Sequence, residues 1–442
     1  MDETSLRVLL DDALTGEPPL GPMTQNSLRA GLRLRRRRRV LSATGGAAAV
    51  AAAITIPAVI GAAGGPSPAQ SAGGKAVAYV FGGHCSGNRR TCNLNSWTGT
   101  LTPISVATNK PGRPIDLGTG SGGANAVVTP DGLTLYVEND TSDTVTPLST
   151  ATGKLGKPIK AGRYPDGMAI TPDGRTLYVC DLATPSVQPP QPGRHVVHGT
   201  VTPISTATGT PGTPIKVGYR PRMILMAPDG KTAYAVSQGS STVTPISTAT
   251  DRAGKSIKVP GDPFVAGITP DGKTIYTLGS MGSGAPSSVT PISTATDTAG
   301  KPIQVGSFPD AIAFTPDSKT AFVVNANSGT VTPISTATNR AGKPIRVGLQ
   351  PQAIVVTPNG KTAYVISYTS GIVTPISTAT NTPGKPISIG KEGYAIAVTP
   401  DGKTVYAASL ASGTVTPIST DTNTAGKPIN VGTRPAVIVV KP

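Results

Sequence analysis

The chain has 442 residues, among them 53 Gly and 44 Pro, with 4% aromatic residues and a formal charge of +16. Glycine and proline at that level occur in disordered chains, but here they recur at fixed offsets and read as turn punctuation instead. Residues 1–40 hold eight arginines and five acids, net +3, so +13 falls on the remainder. A basic surface favours anionic partners, whereas few aromatics and no recognised binding motif argue against nucleic acid.

In chain order, residues 1–39 form a short basic segment expected to lie in the cytoplasm. Leu6, Leu9, Leu10 and Leu14 recur at helical spacing until Gly16, and Pro18 and Pro19 prevent resumption. That helix either docks a partner or simply lies near the membrane. Residues 40–63 are apolar and come directly after the run Arg35 to Arg39. The stretch is long enough to span a bilayer, with the arginines holding its start in the cytoplasm. The string Arg37-Arg38-Arg39-Val40-Leu41 also fits a twin-arginine export signal, with cleavage after Ala69-Gln70-Ser71. Residues 64–74 read as a linker. Membrane anchor and cleaved signal alike place residues 75–442 outside the cytoplasm.

From residue 75 onward one phrase repeats. Its prolines are Pro103, Pro147, Pro203, Pro245, Pro291, Pro333, Pro375 and Pro417, spaced by 44, 56, 42, 46, 42, 42 and 42 residues. A period of 42 fits one four-stranded propeller blade. The sixth unit shows its parts: Ala353-Ile-Val-Val-Thr-Pro, Thr362-Ala-Tyr-Val-Ile-Ser, Ile372-Val-Thr-Pro-Ile-Ser and Lys385-Pro-Ile-Ser-Ile-Gly. Turn residues such as Pro358-Asn-Gly separate them.

Pro-Asp-Gly-Lys-Thr-x-Tyr-Val, followed by Ser-Gly-Thr-Val and Ser-Thr-Ala-Thr-Asn, resembles the YVTN family of β-propeller repeats over residues 75–442. The chain departs from the family's third strand, which usually reads Val-x-Val-Ile-Asp, by carrying Val-Thr-Pro-Ile-Ser. Proline cannot donate to a ladder, so a bulge or a locally unpaired position is expected in every third strand. The resemblance implies seven blades. Counting the strands gives eight, because the chain opens with strands two, three and four at Val77, Leu101 and Pro114 and closes with a lone first strand at Val437. Pairing that last strand with the opening three would complete the eighth blade and close the ring.

Alternating strand direction sorts the loops. Turns between strands one and two and between three and four share one face and are nearly uniform. Inter-blade loops and loops between strands two and three share the other face and vary, including the insertions at 83–96, 181–199 and 281–287. A variable face is the expected ligand surface. Its candidate binding residues are Tyr164, Asp166, Tyr219, Arg220, Arg222, Phe264, Phe308, Asp310, Gln352, Glu392, Tyr394 and Arg434. Cys85 and Cys92 stand seven residues apart within the first insertion, and an exported location permits a disulfide there. Cys180 ends a second strand and reads as a small apolar residue.

His195 and His198 lie three apart in another insertion and are the only candidates for acid–base work, which would require convergence with an acid such as Asp166. Propeller hydrolases and lyases make that reading an analogy of fold. No ligand set suggests a metal, and no cofactor is expected. The sequence therefore points to a binding or scaffold module at the cell surface, with an anionic cell-wall glycan or a protein as partner. A hydrolase or lyase and a purely structural surface protein are the alternatives.

Overall fold

The computed structural model describes residues 76–85, 97–119, 125–139, 142–182, 198–280 and 287–441, and none of these is helical. The expected N-terminal helix, membrane anchor or signal and linker lie outside the described residues. The strands form eight separate antiparallel sheets. We number the blades by their inner strands: Ala126–Val128 (blade 1), Pro165–Ile170, Pro221–Met226, Asp262–Ile268, Pro309–Phe314, Pro351–Val356, Gly393–Val398 and Val437–Val440 (blade 8). Each inner strand touches those of the two neighbouring blades, and that of blade 8 touches that of blade 1, so the ring is closed. This is an eight-bladed β-propeller.

Closure occurs as the sequence count implied. Val437–Val440 pairs with Val77–Cys85, Phe81 opposite Val437 and Ala78 opposite Val440, so one blade is built from both ends of the repeat region. The core lies between blades, where second-strand residues such as Val365 and Ala363 of blade 6 pack on Phe322 and Val324 of blade 5. Alternation along each strand explains this, since successive side chains face the two neighbouring blades in turn.

The third strands differ from expectation. Their pairing with strand two runs without a register break, each proline opposite a second-strand aromatic, as in Pro245 with Tyr234 and Pro291 with Tyr276. The missing donor is accommodated on the other side. Strand four is split into two-residue pieces, Arg252–Ala253 and Ile257–Lys258 in blade 3, and the gap lies opposite the proline. The proline carbonyl accepts the amide of the glycine that opens the gap, Gly254 to Pro245 at 2.8 Å. A Cβ on that glycine would sit 3.1 Å from the proline ring, so Pro and Gly form a matched pair in each blade. The unpaired position therefore exists, without a bulge, and only toward strand four.

Apart from a register shift at Gly99/Thr100 between strands three and four of blade 8, bulges occur instead in the first strands. In blade 2 Asp181 pairs with Pro165 but Cys180 with Gly167, which leaves Asp166 as the extra residue. The same shift isolates Arg222, Phe264, Asp310 and Gln352 in blades 3 to 6, and Tyr394 with Ala395 in blade 7.

The uniform face is structural. The last residue of each turn between strands three and four is left-handed, for example Asn339 (φ 51) after Thr336-Ala-Thr and Asn423 (φ 53) after Thr420-Asp-Thr. From the preceding blade a buried second-strand tyrosine donates to it: Tyr178 to Asp251, Tyr276 to Asn339, Tyr364 to Asn423 and Tyr406 to Asn109, each at 2.6 Å. These clasps tie blade to blade across 59 or more residues of chain. Blade 5 carries Phe322 at the tyrosine position and lacks the hydroxyl.

Candidate functional site

A β-bulge turns its extra side chain out of the ladder and recurs beside binding sites. Here the six blades with a described bulge each extrude one variable side chain at the same end of the inner strand, around the mouth of the central channel: Asp166, Arg222, Phe264, Asp310, Gln352 and Tyr394. All six are half-buried. All six were candidates from their variability alone, so the bulge explains why variation is concentrated there.

The residue two before each of these is held in the left-handed region in blades 2, 3, 5, 6 and 7, namely Tyr164 (φ 55), Arg220 (φ 54), Phe308 (φ 58), Gln350 (φ 51) and Glu392 (φ 58). Such a conformation costs a side-chain-bearing residue about 1–2 kcal/mol. It is maintained by a recurring bond, in which the left-handed carbonyl accepts the first amide after strand two of its own blade. Examples are Gln238 to Arg220 at 3.0 Å, Tyr368 to Gln350 at 2.8 Å and Leu410 to Glu392 at 2.9 Å. Arg434 (φ 53) holds the matching place before blade 8 and is exposed.

The extruded side chains pair across blade boundaries into three groups. On one side Arg222 Nε donates to Asp166 Oδ2 at 2.8 Å, an ion pair largely removed from water. Arg220 lies nearby, and burial first, then the like charge of Arg222, lowers its pKa. Between blades 4 and 5 the rings of Phe264 and Phe308, the latter two residues before the extruded Asp310, meet with centroids 5.9 Å apart, tilted by 38°. Between blades 5 and 6 the Gln352 amide donates to Asp310 Oδ2 at 2.6 Å. Tyr394 belongs with this last group. Burial pushes its hydroxyl up to about 12, the charge of Asp310 and Tyr368 acts in the same direction, and Arg434 opposes them. Blades 4 to 7, with Arg434 of the loop leading to blade 8, thus bring together an aromatic pair, a carboxylate–amide pair, two tyrosines and an arginine.

Other candidates are placed differently. Tyr219 is buried, its ring against Gly239, where a Cβ would lie 2.4 Å from it, so it holds the loop and does not face a ligand. Tyr164 contributes its backbone, its amide donating to Asp143 at 3.0 Å. His198 is exposed at the end of its insertion, and Asp166, the acid expected to partner it, is bonded to Arg222. His195 and Cys92 lie outside the described residues, as do the side chains of His84 and Cys85, and with them the disulfide. Cys180 is fully buried, and burial first, then Asp166 and other acids, pushes its thiol well above the usual range, as suits a packing residue. No group of three metal-ligating side chains occurs among the described residues.

Sequence reasoning passed over Tyr368, and also Glu138 and Asp181, which are 1% and 3% exposed beside Cys180. Aligning the repeats would have singled out Glu138, since the other second strands carry Phe81, Cys180, Val236, Leu278, Val324, Ile366 and Ala408 at its position.

Fold and mouth together define a closed β-propeller with an asymmetric polar and aromatic channel mouth. No family model and no curated protein matches the chain. Among solved structures it is similar to hydrazine synthase of Kuenenia stuttgartiensis, at 25% identity and a TM-score of 0.52 over 67% of this chain and 94% of that one. It is also similar to the dihydro-heme d1 dehydrogenase NirN in complex with DHE, at 15% identity and a TM-score of 0.64 over 81% and 74% of the chains. A functionally unknown protein from Desulfotomaculum acetoxidans aligns at 15% identity with a TM-score of 0.49, over 82% and 98%. The NirN likeness is one of fold.

Proposed function

We propose that this protein is an exported β-propeller of the YVTN repeat type that binds a carbohydrate of the cell surface at the mouth formed by blades 4 to 7. The Asp310–Gln352 pair beside Phe264, Phe308 and Tyr394 carries the reading. Sugar rings offer C–H faces that stack on aromatic planes and adjacent hydroxyls that a carboxylate and an amide engage together. Half-burial on a rigid strand bulge preorganises these groups. Arg434 at the same mouth suits an acidic sugar, in keeping with the net charge of the chain. The arginine run leading into residues 40–63 supports export, with that segment as anchor or signal.

The test is binding of the full chain to a panel of neutral, amino and uronic acid oligosaccharides, with Gln352→Ala and Phe264→Ala as variants. Wild-type binding to at least one class, weakened tenfold or more in both variants, is expected, with the melting temperature unchanged in Gln352→Ala; Phe264→Ala also loses packing against the core and should melt lower. Equal binding by wild type and variants would reject the site. Binding to none of the three classes would reject the ligand.

A further inference from the structure

We infer that the outer rim of blades 3 to 5 is a second binding surface, for a linear polyphosphate, separate from the channel mouth. Strand four and its approach carry Arg252, Lys255 and Lys258 in blade 3, Lys301 in blade 4, and Arg340, Lys343 and Arg346 in blade 5, all exposed. Steps of three residues space the cations of one blade by at most about 10 Å. The track continues between blades, because Ile257–Lys258 touches Thr298–Ala299 and Ile303–Gln304 touches Arg340–Ala341. Segments 252–258, 298–304 and 340–346 contain no acid, and among the described residues none of these seven cations is ion-paired. The acids adjoining the track are Asp251, engaged by the Tyr178 hydroxyl of the preceding blade, and the exposed Asp297, whose charge falls near the Tyr234 hydroxyl.

Lysine on an edge strand also guards against edge-to-edge pairing, but that role does not account for this cluster. The outer pieces are two residues long and interrupted by glycine and, in blades 4 to 7, proline. Blades 6 and 7 have the same edge with one cation each, reading Thr382, Lys385, Ser388 and Thr424, Lys427, Asn430. The triplets of blades 3 and 5 are additions to an edge already blunted; blade 1 carries a like triplet, Lys154, Lys157 and Lys160, but apart from the run of blades 3 to 5. Unpaired cations spaced along an extended track match a chain of regularly spaced phosphates, and their release of counterions makes such binding steeply salt-dependent.

The full chain would be titrated with long-chain inorganic polyphosphate over a range of salt, beside a variant with Arg252, Lys255, Lys258, Arg340, Lys343 and Arg346 changed to Gln. A control variant changes the turn lysines Lys231, Lys273, Lys319, Lys361 and Lys403 to Gln. The rim variant should lose at least tenfold in affinity at low salt, its log–log salt slope becoming shallower by about four, while the control changes little. The Gln352→Ala mouth variant should bind polyphosphate as wild type does. Equal losses in rim and control variants, or an unchanged rim variant, would overturn the inference. So would binding to phosphatidylglycerol vesicles with none to polyphosphate.

Discussion

Alkali should dismantle this propeller through its second-strand tyrosines. Tyr234, Tyr276, Tyr364 and Tyr406 are at most 3% exposed. Burial first, then nearby carboxylates, pushes each hydroxyl from 10.0 up to about 12. A phenol with a raised folded value holds its proton more tightly folded than unfolded, so its stabilisation is intact below pH 10 and is lost as the pH climbs through about 12. Near pH 11 the penalty is on the order of 1 kcal/mol per tyrosine, and several kcal/mol for the four. That is comparable to the whole stability of many domains, about 5–15 kcal/mol. Tyr276→Phe separates this effect from general alkaline damage. It removes the bond to Asn339, which costs about 1 kcal/mol at neutral pH, but it also removes one titrating group, which returns a like amount, on the order of 1 kcal/mol, near pH 11. Urea midpoints measured by circular dichroism at the two pH values should show the variant weaker than wild type at neutral pH and equal or stronger in alkali. An identical deficit at both would refute the linkage.

The same geometry sets further outcomes. Phe322→Tyr supplies the hydroxyl missing from the clasp between blades 5 and 6, where Asn381 already holds the left-handed position (φ 55); it should raise stability by about 1 kcal/mol, read as a higher urea midpoint. Removing residues 436–442 deletes the strand that pairs with Val77–Cys85, and should lower the melting temperature sharply and open blade 8 to limited proteolysis. Tyr219→Ala removes a ring packed on Gly239, and should cost about 3 kcal/mol of stability, with the melting temperature falling, in contrast to Gln352→Ala.

The ring was legible because its determinants are local and repeated: strand residues at period two, turns at fixed offsets, and a lone last strand at Val437 whose only unfilled place was beside Val77. The bulges were not. Val-Thr-Pro-Ile-Ser drew attention to the third strand, where a proline ordinarily forces an interruption, yet the break in strand four removes the partner its missing donor would have needed. In the first strands the interruption is set by residues such as Pro165 and Pro221 together with the left-handed residues before them, a pattern that reads in sequence as plain loop. The mouth residues were identified one by one from their variability, but their grouping was hidden, since Asp310 meets Gln352 42 residues away. The clasps were hidden for the same reason, since a tyrosine and its partner aspartate or asparagine occupy different repeats.

The central claim is that variable bulge residues of blades 4 to 7 form the ligand site. Amide hydrogen exchange of the full chain, with and without a saturating oligosaccharide from the binding panel, tests it most directly. Added protection confined to the loops around residues 262–264, 308–310, 350–352 and 392–394 is expected. Protection on the Pro-Asp-Gly turns of the opposite face, with those four loops unchanged, would contradict it.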